Sequence, residues 1–173
     1  KTTQNFSQPE NFVVLECVDR LLTRGYKPQN IILEKTWPSG HGTSGRLDIC
    51  VNREDGTPYM LIECKTYGKE YNKELSKIHK DGGQLFTYFQ LSGGKADVIM
   101  LYASELKGDK FEFVNDIIKI EDDYRNGDVK DIYEKWNKLT KDNGIFDSWV
   151  QPYNFQSKAL TKEQLKEIKA EDS

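Results

Sequence analysis

The chain has 173 residues, 36% hydrophobic and 31% charged, which describes an ordinary globular protein long enough to bury one core, with or without a short appendage. A net charge of -3 argues against a simple basic wrap around nucleic acid, although a binding face need only be positive locally. No run of about 18 apolar residues occurs, and the N-terminal KTTQNFSQPE has no apolar signal core. Neither a membrane span nor secretion is supported, and the cytoplasm is the default compartment.

The first predicted element is a helix over about 8 to 25: Ser7 can cap it, Pro9 falls in its first turn, and Gly25 closes it. Phe12, Leu15, Val18 and Leu22 recur at helical spacing, with Glu16 among them. A short strand follows around Ile31 to Thr36, then the loop PSGHGTSG, the strand RLDICV, the turn NREDGTP and the strand YMLIECK. A long helical segment from about Lys69 to Gln90 is broken or bent at Gly82-Gly83. ADVIMLYAS reads as a buried strand, FEFVNDIIKI as a further strand or pair, and Asp122 to Leu139 as a second amphipathic helix. This order predicts an α/β fold, a mixed central β-sheet flanked by helices. Residues 1–139 form the domain, and 140–173 an extension or linker. The missing initial methionine and the charged tail LTKEQLKEIKAEDS suggest a piece of something longer.

The chemistry concentrates in one hairpin. Asp55-Gly56 suits a two-residue type I′ turn, whose two central positions need positive φ. Closure there makes partner numbers sum to 111, which sets Asp48 opposite Glu63 and Arg46 opposite Lys65. Alternation puts Leu47, Ile49, Val51, Met60, Ile62 and Cys64 on one face, and Arg46, Asp48, Cys50, Leu61, Glu63 and Lys65 on the other. Opposed carboxylates roughly 5 Å apart repel and favour a cation between them. An oxygen-preferring ion such as Mg²⁺ fits, using one or two carboxylates, water and a substrate phosphate, with the Cys64 carbonyl as a further ligand. Lys65, roughly 6.6 Å along the strand from Glu63, can act on water and on charge developing at phosphorus. The alternative from the residues alone is a solvated salt-bridge patch of little energetic weight.

Gly45-Arg46-Leu47-Asp48 followed by Ile62-Glu63-Cys64-Lys65 resembles the PD-(D/E)xK nuclease superfamily, and Gln84-Leu-Phe-Thr-Tyr88 is similar to its Q-x-x-x-Y motif. Together with Glu16, the pattern looks most like the N-terminal nuclease domain of a type I or type I-like restriction endonuclease R subunit. The resemblance covers about residues 8 to 104, and Leu47 replaces the usual proline. It implies a restriction-endonuclease-like core acting as an Mg²⁺- or Mn²⁺-dependent endonuclease on double-stranded DNA. Asp48 and Glu63 are then the metal ligands, Lys65 and Glu16 further catalytic residues, and Gln84 and Tyr88 contacts to the DNA backbone or orienters of the site. ATP and S-adenosylmethionine are implied only through other restriction-modification domains or subunits. A catalytically silent module for DNA binding or assembly is the alternative.

Cys17, Cys50 and Cys64 lack zinc spacing and read as buried hydrophobes. His41 and His79 have no partner at metal spacing, and the glycine-rich loop does not match a P-loop. Lys69, Lys73, Lys77 and Lys80 form a stripe that either tracks phosphates or pairs with Glu70 and Glu74 on a solvated face.

Overall fold

A computed structural model describes residues 7–38 and 45–120. The helix expected over Asp122 to Leu139, the extension from residue 140, and His41 with its loop lie outside the described residues.

The elements are α1 (Pro9–Thr23), a short 3-10 turn (Pro28–Asn30), β1 (Ile31–Thr36), β2 (Arg46–Asn52), β3 (Pro58–Cys64), α2 (Lys69–Asp81), α3 (Gly83–Leu91), β4 (Val98–Lys107) and β5 (Lys110–Lys119). The five strands lie in sequence order. Every neighbouring pair is antiparallel except β3 and β4, which run parallel and are joined by the crossover through α2 and α3. This is the expected α/β arrangement, a mixed sheet covered by helices.

The sheet separates two cores. On one face Val13, Val14, Cys17 and Leu21 of α1 pack on Ile49, Val51, Met60, Ile62, Cys64 and Tyr102. On the other, Leu85, Phe86, Tyr88 and Phe89 of α3 and Ile78 of α2 pack on Leu47, Cys50, Leu61 and Leu101. The apolar stripe expected to bury α1 is largely the wrong one: Phe12, Leu15 and Leu22 stay exposed, and only Val18 joins the core as a partly buried neighbour. α1 carries two apolar stripes at helical spacing, and the one with Val13, Val14, Cys17 and Leu21 faces the sheet. The helix also begins at Gln8 without a side-chain cap, rather than at Ser7.

The hairpin of β2 and β3 reaches its expected register by another route. Arg53 and Thr57 close a three-residue loop in which the Gly56 N–H donates to the Arg53 carbonyl at 3.0 Å, and Gly56 alone takes a positive φ, 81°. The Asp55 carboxylate instead accepts from the Thr57 N–H at 2.8 Å. The extra loop residue is offset by a register shift beside Asn52, which pairs with Pro58 and leaves Tyr59 over as a bulge. Val51, Cys50 and Ile49 then face Met60, Leu61 and Ile62, the predicted sum of 111.

Candidate active site

The β2–β3 ladder ends at Ile49 and Ile62, so the cross-strand pairs expected for Asp48 with Glu63 and Arg46 with Lys65 lie beyond it. An irregularity in β1 lies beside the break, at Glu34. Glu34 is the one described non-glycine residue with a positive φ, 55°, and it falls between the pairs Leu33 with Ile49 and Lys35 with Leu47. The pleat is interrupted opposite Asp48, and Leu47 turns to the core of Cys50 and Leu61 instead of the face of Ile49 expected from alternation.

Asp48 fills the gap with its side chain. Its Oδ2 accepts the Cys64 backbone N–H at 2.8 Å, standing in for a strand carbonyl. β3 meanwhile stays paired to β4, Glu63 opposite Leu101 and Cys64 opposite Tyr102, and the Lys65 N–H donates to the Tyr102 carbonyl at 2.9 Å. Glu63, and Lys65 just past the end of β3, are therefore held on the β4 side of the sheet. The Cys64 thiol is buried in the α1-side core.

Glu63 is 3% exposed. Its Oε1 lies 2.5 Å from Lys65 Nζ, and its Oε2 is buried with no hydrogen-bond partner. Burial, then the nearby Asp48 carboxylate, push its pKa up to about 8 against the pull of Lys65. Burial likewise raises Asp48 to about 6, opposed by the Cys64 N–H and Lys65. Burial works against the charge on Lys65, but Glu63, Glu10 and Asp48 outweigh it and hold the ammonium above its ordinary range. Such a patch is not the solvated salt-bridge surface that the residues alone left open.

Glu10, in the first turn of α1, reaches Lys65 Nζ at 3.2 Å. Glu16 does not make that contact: its Oε1 pairs with Arg20 at 2.8 Å, its Oε2 accepts the Tyr102 hydroxyl, and it borders an apolar hollow alongside Phe12 and Leu106. Glu10 and Lys65 instead line a polar cleft of about 430 Å³, with Gln84, Glu74, Lys73 and Lys77. The Gln84 side chain is exposed at that cleft. Tyr88 is buried, and its hydroxyl donates to the Arg46 carbonyl at 3.0 Å, two residues before Asp48. The close fit needs Gly45, where a Cβ would stand 2.7 Å from the Tyr88 hydroxyl oxygen.

Sequence reasoning missed Glu10 and Glu74. An acid in a first turn ordinarily reads as a dipole partner, and an acid three residues before a lysine as a surface pair. Pro9 marks Glu10 as a first-turn residue but gives no sign that this turn lies beside Lys65.

Among the described residues no three His, Cys, Asp or Glu side chains form a metal-binding group. Two carboxylates and an orphaned buried oxygen nevertheless suit a hard cation that takes its remaining ligands from water and phosphate.

The family model described as type I restriction enzyme R protein N terminus matches residues 9–117, more than half of the chain. The chain belongs to this family. No curated protein matches it. The matched stretch of this R-protein N-terminus runs from the start of α1 to within β5, so it holds nearly all of the sheet and every candidate residue named above. Membership makes it a restriction-system protein. No helix among the described residues is long and apolar enough to cross a membrane.

Proposed function

We propose that this chain carries a metal-dependent endonuclease site of the PD-(D/E)xK kind, which hydrolyses phosphodiester bonds in double-stranded DNA as part of a type I or type I-like restriction system. The observation that carries this reading is the meeting of Asp48, Glu63 and Lys65 at the splayed ends of β2 and β3, with one Glu63 oxygen buried and unpartnered.

Asp48 and Glu63 would hold Mg²⁺ or Mn²⁺, with the Cys64 carbonyl as a further ligand; the ion, when bound, neutralises phosphate charge and makes water a better nucleophile. Lys65 donates to the attacking water, orients it, and stabilises the charge that builds on the phosphoryl oxygens. Glu10 shares the Lys65 ammonium with Glu63 and so aims it into the cleft. This reading gives the helix-one acid's part to Glu10, since the Glu16 carboxylate is engaged by Arg20 and Tyr102. Gln84 faces the cleft beside Lys73 and Lys77 and offers an amide donor to the DNA backbone, while Tyr88 orients the start of β2. ATP and S-adenosylmethionine would act through other parts of the restriction assembly.

The test is nicking of plasmid DNA with Mg²⁺ by the wild type and by Lys65→Ala, with DNA binding measured in parallel. Loss of one donor that stabilises developing charge costs about 10² to 10³ in rate, so the variant should bind DNA and nick it far more slowly. Equal cleavage by both proteins overturns the reading. Binding without cleavage by the wild type would establish the silent module instead.

A further inference from the structure

α2 and α3 have the spacing of one helix, yet the chain breaks between them at Gly82 and Gly83, both at positive φ, 83° and 56°. The break exposes the first N–H groups of α3, which have no partner within the helix. Asp81 accepts the Gly83 N–H at 3.1 Å. The Gln84 N–H donates at 3.2 Å to Oε1 of Glu74, ten residues back on α2.

Glu74 is 2% exposed, and its Oε2 meets Lys77 at 2.8 Å. A Cβ on Gly83 would stand 2.8 Å from Glu74 Oε1, so the glycine leaves the space that the carboxylate occupies. The bond is therefore tertiary: it sets the angle at which α3 leaves α2. One turn further along α3, Tyr88 holds the Arg46 carbonyl, and two residues beyond Arg46 is Asp48, held by the Cys64 N–H. A run of contacts leads from a buried acid on α2 to a carboxylate on β2.

We propose that Glu74 is a positioning residue for the site: its carboxylate pins α3 so that Tyr88 holds the start of β2 and keeps Asp48 on the Cys64 N–H. Its effect on cleavage rests on the nuclease reading above, whereas its effect on Asp48 does not. Glu74 acts chiefly through geometry; its charge adds only a minor influence, behind burial and Asp48, to those that raise Glu63.

Two mild substitutions separate these roles. Glu74→Gln keeps the length and an acceptor oxygen but loses the charge, while Glu74→Asp keeps the charge but withdraws the oxygens from Gln84 by one methylene. Glu74→Asp should lower kcat for cleavage on the order of 10²-fold, the cost of an ångström-scale misplacement, with KM for DNA little changed. Glu74→Gln should restore most of that rate. Hydrogen exchange at the Cys64 amide should speed up in Glu74→Asp and stay slow in Glu74→Gln, a readout that needs no cleavage. An Asp variant that cleaves normally while Gln is dead assigns Glu74 a charge role and overturns the proposal, as does unchanged Cys64 exchange in Glu74→Asp. A wild type that exchanges as expected yet cuts no DNA overturns the nuclease reading and leaves the positioning role standing.

Discussion

The carboxylate of Asp48 accepts the backbone N–H of Cys64 at 2.8 Å, at the point where two strands have stopped pairing. One side chain thus closes a structural gap and faces Glu63. Asp48→Ala should cost about 1–3 kcal/mol, because the Cys64 N–H is left buried without an acceptor. Asp48→Asn keeps an acceptor and removes one of two repelling charges, so it should be at least as stable as the wild type without metal while losing cleavage. Urea unfolding in chelator measures both. Equal destabilisation by Ala and Asn would mean that the charge, and not the hydrogen bond, matters to the fold.

The same pair sets a pH dependence. Asp48 and Glu63 are raised from 3.8 and 4.5 to about 6 and about 8 in the folded protein. Between those limits the folded state binds more protons than the unfolded one, so stability falls as pH rises. Their favourable contribution is complete below about pH 4 and is lost progressively up to about pH 8. The slope of melting temperature against pH in chelator should be negative across that window and shallower in Glu63→Gln. An equal slope in that variant would remove Glu63 as the cause.

Divalent metal should reverse this trend. A cation that binds only the folded, ionised pair raises the melting temperature in proportion to its occupancy, and protons compete with it. Mg²⁺ or Mn²⁺ should therefore stabilise more at pH 8 than at pH 6, and Asp48→Asn should remove most of the shift. Identical melting with metal and with chelator at pH 8 counts against the site.

Glu10 and Glu16 can be separated directly. Glu10→Gln removes a carboxylate from Lys65 and should slow cleavage at a small cost in stability, since the Glu10 side chain is only half-buried and Lys65 keeps its bond to Glu63. Glu16→Gln, which disturbs Arg20 and the Tyr102 hydroxyl, should lower stability with less effect on the rate. Cleavage assays with thermal melts on the two variants decide between them, and the reverse ordering would restore Glu16 to the catalytic role.

Tyr88→Phe deletes only the hydroxyl that holds the Arg46 carbonyl. It should cost about 0.5–1.5 kcal/mol and lower kcat with little change in KM. A selective rise in KM would mean that the tyrosine meets DNA itself.

Much of this was legible in the residues. Strand boundaries followed from apolar runs closed by turn residues, and Gly82-Gly83 marked the helix break. The 111 register emerged although the turn differed, because the odd loop and the Tyr59 bulge cancel. The buried face of α1 was not legible, since Phe12, Leu15 and Leu22 repeat as regularly as Val14, Cys17 and Leu21, and only the sheet selects between the stripes. Nor was the choice of Glu10, which depends on how α1 crosses the end of β3. The end of pairing beyond Ile49 was hidden for a similar reason: it accompanies a positive φ at Glu34, whose residue type gives no sign of a left-handed turn.

That turn also bears on how the molecule avoids its own copies. Among the described residues β1 is an outer strand of the sheet, with no strand beyond it. Glu34 bends it midway, and the charged Glu34, Lys35 and Arg46 crowd the bend, with Arg46 and Glu34 joined at 3.1 Å. An incoming strand meets a bend in place of a straight run of donors and acceptors, so this irregularity guards the border of the sheet against aggregation.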